Sequence, residues 1–242
     1  MKSIVTEITN LYNKIIEFSE DYADVKDIFL DDNSVELLED SIGVLKILNN
    51  SRKALAIIKF KYFLKGLNHE SVSKESVERL MNYVDNQAKA EFVTNSLDKI
   101  ILSNSKLACC IMGLMLNEMV EKEKSISQEY LIMLNGLNAL NDFDVKNFNY
   151  LYKIVSEERG IKHGITRKDI KKCAELCNTT TYNIYLTLDV LEKYSLLEKS
   201  VDVDLDIDEE DVGFSSVDYD ETYFFNAISE KLYMYSRLLF EK

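Results

Sequence analysis

Apolar residues in the first two thirds of the chain recur every three or four positions, the spacing of one face of an α-helix. Further helices are predicted after four capping residues, Ser73, Ser105, Ser125 and Asp144. The pattern predicts a multi-helix bundle of about eight helices over residues 1–160. The two stripes nearest the N-terminus comprise Ile4, Ile8, Leu11, Ile15 and Phe18, and then Val35, Leu38, Ile42, Leu45 and Leu48.

The pattern changes after the polar stretch SEERGIKHG at residues 156–164, which holds two of the seven glycines and is the best linker candidate. Residues 165–200 predict a short helix, a polar turn and a second helix. Residues 201–208 then alternate apolar and acidic positions, the period of a strand, and a second strand at 221–225 precedes a closing helix. The sequence therefore predicts a mostly α protein whose C-terminal module, residues 161–242, carries a short two-stranded β ribbon.

Helix, turn, helix and ribbon follow one another here in the order of a winged helix-turn-helix. The stretch LDVLEKYSLLEKS at residues 188–200 resembles the end of that family's second helix running into its wing. Ser195 stands where glycine is commonest in that family. The resemblance implies that the C-terminal module is winged-helix-like.

The helical part of the chain resembles a recurrent family of bacterial and phage proteins that often end in a winged-helix-like segment. The resemblance rests on FKYFLKGL, SVERLMNYVDNQAKAEFVTNSLDKI and SKLACCIMGLMLNEMVEKEKSISQEYLIMLNGLNAL, and it spans about residues 41–225. It is a pattern of helix lengths and apolar positions without a catalytic signature, so no functional residue is carried over. It implies a phage, prophage or defence setting.

Composition favours long helices and a soluble protein of the reducing cytosol. The chain has no proline and 7 glycines, so helix-breaking positions are scarce. Its 4 cysteines, two of them adjacent, match no secreted disulfide framework. The N-terminal residues lack the apolar block of a signal peptide, and the longest apolar run, Leu107 to Leu116, is about half of a bilayer span. We expect a cytoplasmic protein without a membrane partner.

Acidic charge is concentrated in one segment of the chain. The net charge is −13, and Val201 to Glu221 contains ten acidic and no basic residues, which leaves −3 for the rest. Strand alternation predicts that the aspartates face outward and that four apolar residues pack inward, namely Val201, Val203, Leu205 and Ile207. We interpret the acidic face as a surface that steers a basic protein partner. Its residues are Asp202, Asp204, Asp206, Asp208, Glu209 and Glu210.

DNA binding is the alternative function for a winged-helix-like module. The candidate nucleic-acid contacts are Arg167, Lys168, Lys171, Lys172, Tyr182 and Asn183. The second helix has no basic residue before Lys193, although Arg and Lys make the commonest contacts to phosphate and guanine. The acidic ribbon would also repel a phosphate backbone. We therefore favour binding to a partner protein, with a DNA-binding transcriptional regulator as the alternative; self-association fits either.

The sequence predicts no catalytic residue, metal site or cofactor. A calcium-binding loop that began at Asp202 would place Ile207 where glycine is required and Gly213 where glutamate is required. The chain contains no glycine-rich phosphate loop, nucleophile elbow or zinc-binding histidine pair. A non-enzymatic protein is therefore expected.

The cysteines are interpreted as buried thiols. Cys173 and Cys177 lie four positions apart on one predicted helix, a spacing that can hold two metal ligands. Zinc needs four donors, however, and the chain has only 2 histidines. Cys109 and Cys110 belong to the most apolar predicted helix, where thiols pack as small hydrophobic groups.

The basic amphipathic segment Ser51 to Leu67 has the composition of a membrane-surface or partner-binding helix. A buried helix with solvated lysines is the favoured interpretation.

Overall fold

A computed structural model of the chain describes residues 58–59, 62–63, 65–67, 82–84, 86–122, 124–158, 160, 162–208 and 213–240. The chain divides into two compact units, Met1–Ser127 and Gln128–Lys242. The described part is mostly helical with a small two-stranded antiparallel sheet, which confirms the mostly α class. The predicted helices at residues 4–18 and 35–48 lie outside the described residues.

The first unit contains α1 (Gln87–Leu102) and α2 (Lys106–Glu121), with shorter helical pieces at residues 58–59, 62–63, 65–67 and 82–83. As predicted, α2 begins after Ser105, whose hydroxyl accepts a hydrogen bond from the Ala108 backbone N–H at 2.9 Å. Eleven consecutive or near-consecutive residues of α2 are buried. Since its apolar residues surround the helix, α2 is the core helix of this unit.

Two glycines permit a close approach between α2 and the helical piece that contains Gly66. A Cβ atom on Gly113 would lie 2.0 Å from the Phe63 carbonyl oxygen, and one on Gly66 would lie 2.0 Å from the Cys110 carbonyl oxygen. No side chain larger than hydrogen fits at either position without moving backbone. Phe63 and Leu67 are buried, which agrees with the buried-helix interpretation of this basic segment.

The second unit is built around one central helix. Its elements are α3 (Gln128–Ala139), α4 (Asp142–Glu158), α5 (Arg167–Cys177), α6 (Thr181–Lys193), β1 (Glu198–Asp208), β2 (Gly213–Phe224) and α7 (Ala227–Phe240). α4 packs against α5, α6 and α7. The predicted domain boundary after residue 160 therefore falls inside this unit, in the loop between α4 and α5. Polar residues with glycine are equally typical of a loop between packed helices.

The start of α4 differs from the predicted one. The Asn141 side-chain oxygen accepts hydrogen bonds from the Phe143 N–H at 2.8 Å and the Asp144 N–H at 3.1 Å. The Asp144 carboxylate accepts a hydrogen bond from the Asn141 N–H at 3.0 Å. The prediction that Asp144 itself caps the helix is wrong, because α4 begins at Asp142 and the two side chains cap it reciprocally.

The caps of α5 and the turn after α6 agree with the sequence. Thr166 and Asp169 form a capping box at the start of α5, in which the buried Asp169 carboxylate accepts from the Thr166 N–H at 2.7 Å. Asn178, the capping residue that follows α5, has a left-handed backbone (φ 53°). Ser195, predicted at a glycine-preferring position, has φ 59°, the conformation for which glycine is preferred.

β1 and β2 form an antiparallel ribbon whose register pairs acidic residues with each other. Asp202 lies opposite Asp220, and Asp204 lies opposite Asp218. Directly opposed residues share one face of an antiparallel pair. The register therefore places these aspartates on one face of the ribbon. Like charges opposed in this way are destabilising.

A shift in register interrupts the pairing near the outer end of the ribbon. Asp206 pairs with Ser216, whereas the next residue, Ile207, pairs with Phe214, so Ser215 has no partner. This extra residue is a bulge in β2. Because of the bulge, the register assigns Phe214 to the face of Ile207; strict alternation would assign it to the acidic face.

The base of the ribbon contacts the helices. The buried Tyr223 donates a hydrogen bond from its hydroxyl to Asp189 of α6 at 2.6 Å, and its carbonyl accepts from the Ile165 N–H at 2.8 Å. Lys199, opposite Tyr223, forms an ion pair with Glu221 at 2.8 Å. Val201 is 48% exposed. The predicted inward packing of Val201 is therefore wrong, because this residue lies beyond the anchored base.

α7 returns to α4 through an aromatic cluster. The rings of Tyr152 and Tyr233 stack with centroids 4.2 Å apart, and Phe225 lies 4.7 Å from Tyr152. The Ser236 hydroxyl donates to the Asn149 side-chain oxygen at 3.0 Å. Burial chiefly, followed by nearby negative charge, raises the pKa of Tyr152 to about 12.

Alkaline pH is expected to destabilise the second unit through Tyr152. Between pH 10 and about 12 the unfolded chain releases the phenolic proton while the folded chain keeps it. The contribution of this group to the unfolding free energy is therefore fully present below this window and is lost as pH rises through it. The slope from one such group is at most about 1.4 kcal/mol per pH unit. Tyr152→Phe should flatten the pH dependence of the urea-unfolding free energy in this window. A slope in Tyr152→Phe equal to that of the wild type would contradict the assignment.

Candidate functional site

A groove of about 580 Å³ lies between the beginning of α4 and the outward face of α6; it is termed the α4–α6 groove. Phe143, Leu186 and Val190 supply its apolar lining. Polar groups of α6, among them Asp189 and Lys193, stand in the same lining. The groove therefore combines apolar surface with a few polar groups, the composition of a binding site for a partner's side chains.

The apolar residues of the α4–α6 groove are unusually accessible. Phe143 is 77% exposed and Leu186 is 44% exposed. Covering a side chain of this type stabilises a complex by about 1.5–3 kcal/mol when the burial is complete. Adjacent exposed apolar residues mark interaction surfaces more often than single ones do.

Beneath these residues lies a buried polar network that joins α4 to α6. The Thr187 hydroxyl donates to Asp144 Oδ1 at 2.7 Å and accepts from Asn147 Nδ2 at 3.0 Å. All three residues are buried. The second carboxylate oxygen of Asp144 accepts from the Asn141 N–H, so both oxygens have donors. The network fixes the distance between the two walls of the groove.

The four basic candidates for phosphate contact are all exposed on α5: Arg167, Lys168, Lys171 and Lys172. Lys172 forms an ion pair with Glu158 of α4 at 2.5 Å. This hydrogen bond raises the pKa of Lys172 and lowers the pKa of Glu158. Lys172 is therefore partly neutralised by its own chain, which weakens it as a phosphate contact.

Tyr182 and Asn183, the two candidates on α6, lie in its first turn. Tyr182 is 68% exposed. The Asn183 side-chain nitrogen donates to Thr179 Oγ1 at 2.9 Å, and Asn183 also lines the α4–α6 groove. Its amide is thus already engaged at the turn between α5 and α6.

A second cleft, of about 830 Å³, separates the N-terminal end of α5 from the base of the ribbon. Arg167, His163 and Tyr185 line it together with Glu221 of β2. Lys168, Lys171 and Lys172 line neither this cleft nor the α4–α6 groove.

The predicted acidic face is only partly described. Asp202 is exposed, and the register continues the face through three further positions of β1, Asp204, Asp206 and Asp208. Glu209 and Glu210 lie outside the described residues. Sequence reasoning omitted Asp218 and Asp220, which the register places opposite β1 aspartates; their own alternation in VDYD was the available signal.

The cysteines differ from one another in exposure. Cys109, Cys110 and Cys173 are buried, as predicted, whereas Cys177 is half-exposed. The prediction of burial is wrong for Cys177 because it is the last residue of α5. The Sγ atoms of Cys173 and Cys177 are 4.0 Å apart.

Among the described residues, no group of three or more His, Cys, Asp and Glu side chains is placed to hold a metal ion. None of the helices described there has the length and apolar character needed to cross a bilayer.

Comparison with known proteins found no match: no family model, no curated protein and no solved structure is similar to this chain.

Proposed function

We propose that the second unit is a winged-helix-like module that binds a partner protein through the α4–α6 groove. The order of its elements supports the winged-helix assignment, since α5 and α6 are joined by a short turn and followed by the β1–β2 ribbon. The left-handed backbone of Ser195 at the end of the second helix agrees with the resemblance. The phage, prophage or defence setting rests on the sequence resemblance alone.

The observation that carries the proposal is the exposed apolar lining that Phe143 of α4 and Leu186 of α6 give to the groove. In a winged-helix module that reads DNA, the outward face of the second helix presents groups that bond to bases and phosphates. Here that face contributes Leu186 and Val190 to a groove, with Asp189 beside them. A carboxylate in this position opposes a polyanion, whereas apolar side chains favour a protein.

DNA binding is the second candidate, and the exposed basic residues of α5 favour it. Arg167, Lys168 and Lys171 lie in the first half of one helix. A regulator that used them would lose affinity steeply as salt rises. This dependence distinguishes the two candidates, because a contact through the α4–α6 groove depends mainly on apolar burial.

A photo-crosslinking amino acid at position 143 tests the proposal in cells that normally make the protein. We expect it to capture one protein that the same amino acid at Met234 does not capture, since Met234 is an exposed apolar residue of α7. With the captured protein purified, Phe143→Asp should raise the Kd at least about tenfold, a loss of about 1.4 kcal/mol. An aspartate is compatible with the first turn of a helix, so folding should be retained.

Met234→Asp is the matched control and should leave the Kd unchanged. Equal capture from positions 143 and 234, or an unchanged Kd for Phe143→Asp, would contradict groove binding. Tight, salt-steep binding of the wild-type chain to its own promoter DNA, lost when Arg167, Lys168 and Lys171 become glutamine, would support the regulator instead.

A further inference from the structure

Two cysteines on α5 lie close enough to react with each other after a local movement. Cys173 and Cys177 are one helical turn apart, and their Sγ atoms are 4.0 Å apart. In an α-helix, Cα atoms four positions apart are separated by about 6.2 Å. Disulfides span Cα distances of about 4.4–6.8 Å, which include this separation, but they also need Cβ atoms about 3.5–4.5 Å apart. Residues four apart on a regular helix have Cβ atoms about 5–6 Å apart, so the bond requires the last turn of α5 to tighten.

The end of α5 can supply the movement that bond formation needs. The Sγ atoms must approach to about 2.05 Å, and Cys177 is the last residue of the helix. It is followed by the left-handed Asn178, so rotation of the Cys177 side chain and tightening of the last turn do not disturb a continuing helix. A pair in the middle of a helix would lack this freedom.

The two thiols are also unlike each other. Cys177 is half-exposed, whereas Cys173 is fully buried with its Sγ 3.5 Å from the Asn147 carbonyl oxygen. The hydrogen bond between the thiols lowers the pKa of Cys177, with help from the positive charge of Lys146, and raises the pKa of Cys173. Cys177 is therefore the accessible nucleophile and Cys173 the protected second thiol.

We propose that Cys173 and Cys177 are a reversible oxidation site, at which a hydroperoxide converts the dithiol into an intrahelical disulfide. This inference does not depend on the proposed function of the α4–α6 groove. The Cys177 thiolate attacks the peroxide, forming an S–O bond and breaking the O–O bond, and the departing alkoxide or hydroxide takes up a proton. Two electrons pass from the sulfur to the peroxide in this step.

The second step closes the disulfide. Cys173 sulfur attacks the sulfur of the Cys177 sulfenic acid, the S–S bond forms, and the S–O bond breaks. The hydroxyl group leaves with the Cys173 proton as water. Two molecules of an external thiol reverse the change: the first opens the disulfide to a mixed disulfide, and the second releases the protein thiol and leaves as the external disulfide. Closure draws Cys173 away from the Asn147 carbonyl, so oxidation alters a contact between α5 and α4.

The full wild-type chain can be tested without any substitution. After brief exposure to equimolar hydrogen peroxide, free thiols are blocked and the chain is digested. Trypsin leaves both cysteines in one peptide, Cys173–Lys193. From the oxidised chain this peptide should carry no blocking group and should be two hydrogen atoms lighter than the unblocked reduced peptide. A protease that also cuts after Glu175 should leave its two pieces joined until a reductant is added. Cys109 and Cys110 should react at least about tenfold more slowly, because they are buried.

Variants identify the order of the two steps. Cys173→Ser should accumulate a Cys177 sulfenic acid that dimedone traps, and Cys177→Ser should leave Cys173 reduced. The double variant Cys109→Ala/Cys110→Ala is the matched control and should form the disulfide at the wild-type rate. The proposal is overturned if the wild-type chain keeps all four thiols, if Cys109 and Cys110 are oxidised as fast, or if Cys177 proceeds to sulfinic acid while Cys173 remains reduced.

Discussion

Gly113→Ala is expected to destabilise the first unit by about 2 kcal/mol or more. The added Cβ would lie 2.0 Å from the Phe63 carbonyl oxygen and 2.8 Å from the Leu67 backbone nitrogen. Overpacking of this kind costs about 1–3 kcal/mol, and more where backbone must separate. Alanine gains only about 1 kcal/mol in helix propensity over glycine, so the steric loss wins. Faster amide hydrogen exchange across α2 would report the loss.

Gly66→Ala supplies the complementary test, because its Cβ would lie 2.0 Å from the Cys110 carbonyl oxygen across the same contact. The double variant should cost less than the sum of the single variants, since one separation of the two segments relieves both clashes. Gly136→Ala in α3, where the close neighbour is the Leu196 side chain, should leave exchange in α2 unchanged. A stabilised Gly113→Ala variant, the usual result at an exposed helical glycine, would contradict the close approach.

Thr187→Val is expected to lower the unfolding free energy of the second unit by about 2–3 kcal/mol. Valine keeps the shape of threonine but removes the hydroxyl that donates to Asp144 at 2.7 Å and accepts from Asn147 at 3.0 Å. Both partners are buried and lose a hydrogen bond. An unsatisfied buried group costs about 1–3 kcal/mol, and a charged one more. Urea unfolding of the two proteins at neutral pH measures the difference.

Thr187→Ser separates the hydroxyl from the methyl group. Serine retains the donor and acceptor and loses one buried methyl, which is worth about 1 kcal/mol. Valine should therefore be the less stable variant. If Thr187→Val is as stable as wild type while Thr187→Ser is destabilised, packing and not hydrogen bonding holds α4 to α6.

Local signals made much of the architecture predictable. Ser105 and Thr166 cap α2 and α5 because a hydroxyl before an amphipathic run satisfies free N–H groups whatever the tertiary setting. Alternation in residues 201–208 predicted β1 for the same reason, since the period of two belongs to the strand itself. The left-handed Ser195 followed from its position in the winged-helix pattern.

The α4–α6 groove was not predicted, because exposure depends on which helices meet. Phe143 is out of phase with the buried stripe of α4, which includes Val145, Phe148 and Tyr152. That phase difference was readable only once the helix start was known, and the start was assigned to the wrong residue. The partners of the β1 aspartates were missed because register depends on pairing, and the bulge at Ser215 shifts it.

The return of α7 to the beginning of the second unit has a consequence during synthesis. α7 is made after all other described elements, yet its Lys231 contacts Glu129 across 102 residues and its Ser236 contacts Asn149 across 87. Until the ribosome has produced α7, the aromatic face of α4 around Tyr152 lacks its cover. The second unit therefore completes its core late in translation. Its nascent form exposes to chaperones an aromatic surface that α7 covers in the mature fold.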